Sequence, residues 1–192
     1  MLIVPVAPEA VFQQMREGLT PLLEEELDVA DASDSIEIAR PHRLYTTPLE
    51  DFVAGKLLGM DRMTSWQFIV LRDRQPFGLA EVYVESGPLG EEVFEYGGFG
   101  LGSFSRSIID AITVAETLPQ VIARDYELRM LRVPTVYLYC VWLHGEASDE
   151  ILLPCDPVPP PLVPIQVTQP AAITTALHDF ALYRLSVEDS DI

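Results

Sequence analysis

Between Pro8 and Leu27 apolar side chains return every three or four positions, at Val11, Phe12, Met15, Leu19, Leu22, Leu23 and Leu27. That is the spacing of one buried helix face. Gly18 and the Thr20–Pro21 pair interrupt it, so the helix is expected to kink or restart there. The polar stretch 28–35 reads as a loop. A second helix is predicted over 48–58, with Thr47 as cap, Pro48 as first helical residue and Glu50 completing a capping box. Its apolar stripe is Leu49, Phe52, Val53, Leu57 and Met60, and Gly59 stands near its stop.

The period then changes. Strands are predicted over 66–72 and 78–84 around a polar turn at Asp73–Pro76. In the second, Glu81 and Glu85 alternate with Ala80, Val82 and Val84, which implies one buried and one solvated face. The stretch 91–96 predicts a shorter strand alongside. A glycine loop follows and opens a helix over 105–117, and Pro119 starts another expected to run to about Leu131. Residues 133–143 are apolar on both alternating faces, predicting a central strand over 135–142, with 149–154 returning beside it as a hairpin partner. The proline-rich connector at 154–164 is expected as an extended polyproline stretch. A last amphipathic helix is predicted over 171–183, carrying Ile173, Ala176, Leu177, Phe180 and Ala181, before an acidic, frayed tail at 187–192. These elements make a single α+β domain over 1–192, a mainly antiparallel sheet packed by three to five helices.

Composition sharpens this picture at one point. Of 192 residues, 48% are hydrophobic and 22% charged, the balance of a folded globular chain. The charge is skewed, however: 30 acidic against 12 basic residues leave −18, beyond the magnitude of about 2–8 common for a small domain. Such a field repels nucleic-acid backbones and anionic lipid surfaces and attracts basic partners. The expectation is a protein partner, basic by complementarity, with no nucleic acid and no membrane. The stretch 1–11 lacks the basic flank of a signal peptide, and no apolar run approaches the ~20 residues that span a bilayer. A soluble, cytoplasmic protein is therefore expected.

Candidate chemistry is sparse. His42, His144 and His178 are scattered without metal-ligand spacing, and Cys140 and Cys155 make neither a disulfide framework nor a zinc site. No metal and no cofactor are expected. Arg40–Arg43 form the one dense basic spot of the first half, expected to pair with neighbouring carboxylates. The remaining candidate is the glycine loop 97–106. There Gly98, Gly100 and Gly102 free the backbone, Ser103 and Ser105 can cap, and Arg106 follows in the first turn, a set suited to holding a phosphate at a helix start.

The order of strand, turn, strand, short strand, glycine loop and helix over 65–115 resembles the middle of the GNAT N-acyltransferase fold. The resemblance implies an acyl-CoA pyrophosphate on that loop. The family loop reads Gln/Arg-x-x-Gly-x-Gly/Ala. Aligning Gly100 and Gly102 with its glycines puts Gly97 at the basic or amide position, and aligning Gly98 and Gly100 puts Glu95 there. After the helix the family has a strand, a helix with a tyrosine and a final strand, where this sequence predicts a second helix, a hairpin and a proline run. Two readings follow. The preferred one is a non-catalytic acidic interaction protein docking a protein partner, similar to toxin-neutralising immunity proteins or accessory subunits. The alternative is a GNAT-like acyltransferase, or another phosphate-ligand enzyme, using loop 97–106.

Overall fold

The computed structural model describes residues 1–26, 36–59, 63–146 and 149–188. In chain order these form β1 (Leu2–Ile3), α1 (Glu9–Glu26), β2 (Ile36–Thr46), α2 (Leu49–Val53), β3 (Met63–Arg72), β4 (Gln75–Ser86), β5 (Glu92–Leu101), α3 (Phe104–Thr117), α4 (Pro119–Ala123), β6 (Tyr126–Val133), β7 (Leu138–Gly145), β8 (Glu150–Pro154) and α5 (Pro170–Glu188), with a 3-10 turn at Pro134–Val136. The class is α+β. All eight strands join one sheet in the order β5-β4-β3-β2-β6-β7-β8, with β1 paired to β6. Pairing is antiparallel except for β6, which runs parallel to both β1 and β2. The sheet, rather than a set of packing helices, is the dominant element.

Period-2 patterning builds three clusters on the two faces of this sheet. On one face α3 buries Ile108, Ala111, Ile112 and Ala115 against Leu44, Ile69, Leu128, Met130, Val141 and Leu153. On the other, α1 lays Val11, Met15 and Leu19 over Trp66, Phe68, Val70, Ala80 and Val82. Beside it on that face, α2 and α5 cover Leu131, Val133, Cys140, Trp142 and Leu152. The β3–β4 hairpin turns through Asp73 and Arg74, both at positive φ (51° and 62°), the backbone of a two-residue turn that matches strand twist.

Several expectations need correction. The predicted helix over 48–58 ends at Val53. Thr47 does not cap it; its hydroxyl donates to the Leu57 carbonyl at 2.6 Å. The chain turns at Gly55 (φ 77°), which folds Leu57 back into the core rather than continuing the stripe. The helix expected from Pro119 to Leu131 stops at Ala123. Residues 126–133 are instead the strand β6, because a place between β2 and β7 outweighs the helix propensity of Leu, Arg and Met. Strand β2 carried no prediction: its alternation is broken where Arg40 (φ 48°) and Pro41 interrupt the pairing between Ala39 and His42.

The glycine "loop" is a strand over its first half, since residues 97–101, with Gly97, Gly98 and Gly100, lie in β5. The proline run is not an extended stretch. It turns, with Leu162 N–H bonded to the Pro159 carbonyl at 3.1 Å and Ile165 N–H to the Pro154 carbonyl at 2.7 Å, and it buries Pro159. Helix α5 continues past 183 to Glu188. The predicted loop at 28–35 and the tail beyond 188 lie outside the described residues.

Candidate functional site

The face that α3 covers is apolar along most of its length, but towards the N-terminal end of α3 it turns polar. Cross-strand pairing sets the row: His42 on β2 opposes Gln67 on β3, and Gln67 opposes Glu81 on β4. Ser65 lies one pleat along β3 on the same face, and Arg132 and Tyr139 oppose one another on β6 and β7. Strand alternation puts these side chains on one side of the sheet.

They are wired together. Ser65 Oγ donates to Glu81 Oε1 at 2.6 Å and Gln67 Nε2 to Glu81 Oε2 at 3.3 Å. Tyr139 donates its hydroxyl proton to Gln67 Oε1. Arg132 Nη1 stands 3.7 Å from Glu81 Oε2, while its Nε is buried without a hydrogen-bond partner among the described residues. His42 is fully buried. Its Nδ1 donates to the Arg40 carbonyl at 2.8 Å, which leaves Nε2 as the acceptor nitrogen, with no hydrogen bond among the described residues. Burial pushes the His42 pKa down to about 4, against the raising effects of the Arg40 carbonyl, the Gln67 side chain and the Glu81 charge. Burial likewise drives the Tyr139 pKa up, helped by Glu81 and opposed by Arg132 and Gln67. The ring is therefore neutral imidazole and the phenol keeps its proton at neutral pH.

Above this floor lies an open cleft of about 430 Å³, bounded by Gln67, Leu79, Glu81, residues 97–102, Phe104, Ser105, Arg132 and Tyr139. Its roof edge is β5. Register places Gly98 opposite Glu81 and Gly100 opposite Leu79, so both glycines share the cleft face, while Phe99 between them packs with Phe77 on the other side. A Cβ added at Gly98, Gly100 or Gly102 would meet no atom within 4 Å. Gly98 also sits at φ 127°, just past a bulge at Gly97, a backbone that glycine alone adopts readily. At Gly100 neither dihedral nor packing within the chain calls for glycine. What its absent side chain leaves is room.

The sequence-derived candidates thus separate. Gly98, Gly100, Gly102 and Ser105 border the cleft, whereas Ser103 and Arg106 do not. Arg106 is exposed on the first turn of α3, and the cation of the cleft is Arg132. Ser105 Oγ donates back to the Gly102 carbonyl at 3.1 Å, and Ser103 makes no side-chain cap bond. Gln67, Glu81, Arg132 and Tyr139 were not foreseen as site residues. Glu81 stood in the sequence as the solvated side of an amphipathic strand, and the polar half of that alternation was the one signal available. Around the cleft, no group of three or more His, Cys, Asp or Glu is placed to hold a metal among the described residues. The chain order after α3 also differs from the acyltransferase pattern: β6 and β7 are joined by a 3-10 turn, with no helix between them.

The dense basic spot lies elsewhere. Arg43 pairs with Glu127 at 3.0 Å and Arg40 with Glu116 at 2.7 Å. Cys140 and Cys155 are buried free thiols, and burial raises the Cys155 pKa to about 12. No helix among the described residues is long and apolar enough to cross a membrane. No family model, no curated protein and no solved structure matches this chain.

Proposed function

We propose that the protein is a non-catalytic interaction protein that docks a basic segment of a protein partner on the outer edge of β5, in the manner of an accessory subunit or immunity protein. One observation carries this reading: β5 is an acidic sheet edge whose outer backbone is paired to no strand among the described residues, with α1 packed over one of its faces. Residues 75–101 contain five glutamates and no lysine or arginine. Glu85, Glu92 and Glu95 are exposed, and Val93 is 42% exposed beside them. The opposite edge, β8, is capped by a bridge in which Leu152 and Thr168 exchange backbone hydrogen bonds of 2.8 and 3.0 Å. On β5 no strand pairs outward among the described residues. Sheet edges are commonly guarded by lysine; here the guards are carboxylates, which exclude acidic strands and admit basic ones. Across a chain of −18, this edge is where charge and open backbone coincide.

The test is a fluorescein-labelled decapeptide of alternating lysine and threonine, followed by anisotropy. Binding is expected at about 50 mM salt and should weaken at least ~10-fold at 0.5 M, where exposed charges are screened over a few ångströms. Glu85→Gln, Glu92→Gln and Glu95→Gln combined should abolish it. Glu9→Gln, Glu17→Gln and Glu24→Gln on α1, removing the same charge elsewhere, should leave most of it. Equal loss from both triple variants, or no binding by the wild type, would overturn the reading.

A further inference from the structure

The cleft on the face of β5 is a second surface, independent of its edge, and we propose that it binds a flat, uncharged small molecule whose rim carries an amide or lactam. The first argument is shape. Gly98 and Gly100 leave the peptide planes of β5 uncovered on the cleft side. Leu79 lies beside them on β4, and Phe104 forms a wall, its ring held edge-on against Tyr139 at 4.7 Å. A planar body can lie on that bare backbone where any side chain would stand in its way. The volume of about 430 Å³ falls within the range of small-ligand sites, roughly 300–1,000 Å³.

The second argument is hydrogen-bond accounting at the polar end. A carboxylate has about four acceptor positions. Glu81 accepts from Ser65 and Gln67, and Arg132 faces it at 3.7 Å as an ion pair rather than a hydrogen bond, so about two acceptor positions remain. Arg132 carries five donors on its guanidinium, and Glu81 is the one carboxylate within ion-pair distance of it among the described residues. The ligand edge that fits presents an acceptor to Arg132 and, next to it, a donor to Glu81. An amide has that order. Charge selects in the same direction. Glu81 and Arg132 neutralise one another, a cation would meet Arg132, and an anion would meet both Glu81 and the field of a −18 chain.

Two probes differing in that edge alone test the assignment, 2-naphthamide and 2-naphthoate, titrated into nitrogen-15-labelled protein. The glycine amides are read directly. The amide probe is expected to shift Gly98, Gly100 and Gly102 in a saturable way, with affinity at least ~10-fold above the carboxylate's, the discrimination expected from one charge-assisted hydrogen bond gained and one repulsion avoided. Gly100→Val should keep the dispersed spectrum of the folded protein, since its branched side chain suits a strand and meets open space, yet it should lose binding. Equal affinity for both probes, shifts confined to other residues, no shift up to the solubility limit, or undiminished binding by Gly100→Val would each overturn the proposal.

Discussion

His42 shows what one buried, under-bonded group does to the molecule. Its folded pKa lies near 4, below the ordinary value of about 6.5, because burial disfavours the imidazolium. Between those values the unfolded chain takes up a proton that the folded chain refuses. The unfolded state therefore binds more protons in that window, and stability falls as pH drops through it. Above pH 6.5 the contribution is fully present. The loss amounts to about 2 kcal/mol by pH 5. Urea midpoints at pH 7 and pH 5 check this. His42→Gln cannot titrate, so it should lose clearly less than the wild type over that interval. Equal losses would mean that the imidazole is not held neutral. The same position also explains why the histidine was silent in the sequence: nothing local to residue 42 says that Gln67 and Glu81 lie across two strands from it.

Among the elements, β6 is the most instructive, because its residues favour a helix and its neighbours impose a strand. Arg129, 4% exposed, is what the imposed strand must accommodate. Its guanidinium stacks over Tyr45 at 5.3 Å and Trp142 at 5.1 Å, and its Nε donates to Glu127 at 2.8 Å. Burial raises the Glu127 pKa, but Arg129 and then Arg43 outweigh it, and the net direction is down. The carboxylate is thus charged and paired at neutral pH. Its contribution is present above the ordinary carboxylate range and is lost as pH falls through the lowered value. Breaking a buried pair commonly costs about 3–5 kcal/mol, so Arg129→Ala should approach the lower figure. Arg129→Met keeps the stem between the two rings and leaves Glu127 with Arg43 at 3.0 Å, so it should cost less than half as much. Equal costs in chemical denaturation would show that charge, not ring contact, holds β6 at this point.

For the molecule as a whole, 30 acidic residues against 12 basic ones make repulsion within the folded body the leading long-range term. Ion pairs such as Arg124–Asp149 and Arg16–Glu9 lie among exposed groups, where each contributes about 0–1 kcal/mol. Added salt screens both effects, but the repulsion is the larger. The melting temperature should therefore rise with sodium chloride from about 10 mM to 0.3 M, where the Debye length shortens from ~30 Å to below 10 Å. A fall over that range would mean that the ion pairs outweigh the net charge.

Local pattern was enough wherever burial follows a regular period. The helix at α1, which runs through Pro21 without restarting, the β3–β4 hairpin, whose turn is Asp73–Arg74 within the expected Asp73–Pro76, the helix at α3 and the start of α5 stand where side-chain spacing put them. The pattern also carried the glycines at 98, 100 and 102, spaced by two. It could not tell a loop from a strand, because glycine has no side chain to report a face. Long-range pairing settled the rest. Strand β6 beside β2 turned a helix-favouring segment into sheet, and Thr47 became a partner of Leu57 instead of a cap. The cleft arose from Gln67, Glu81, Arg132 and Tyr139, on four different strands. Their meeting depends on strand order and register, which are set by the burial of the entire sheet and leave no trace in any short stretch of chain.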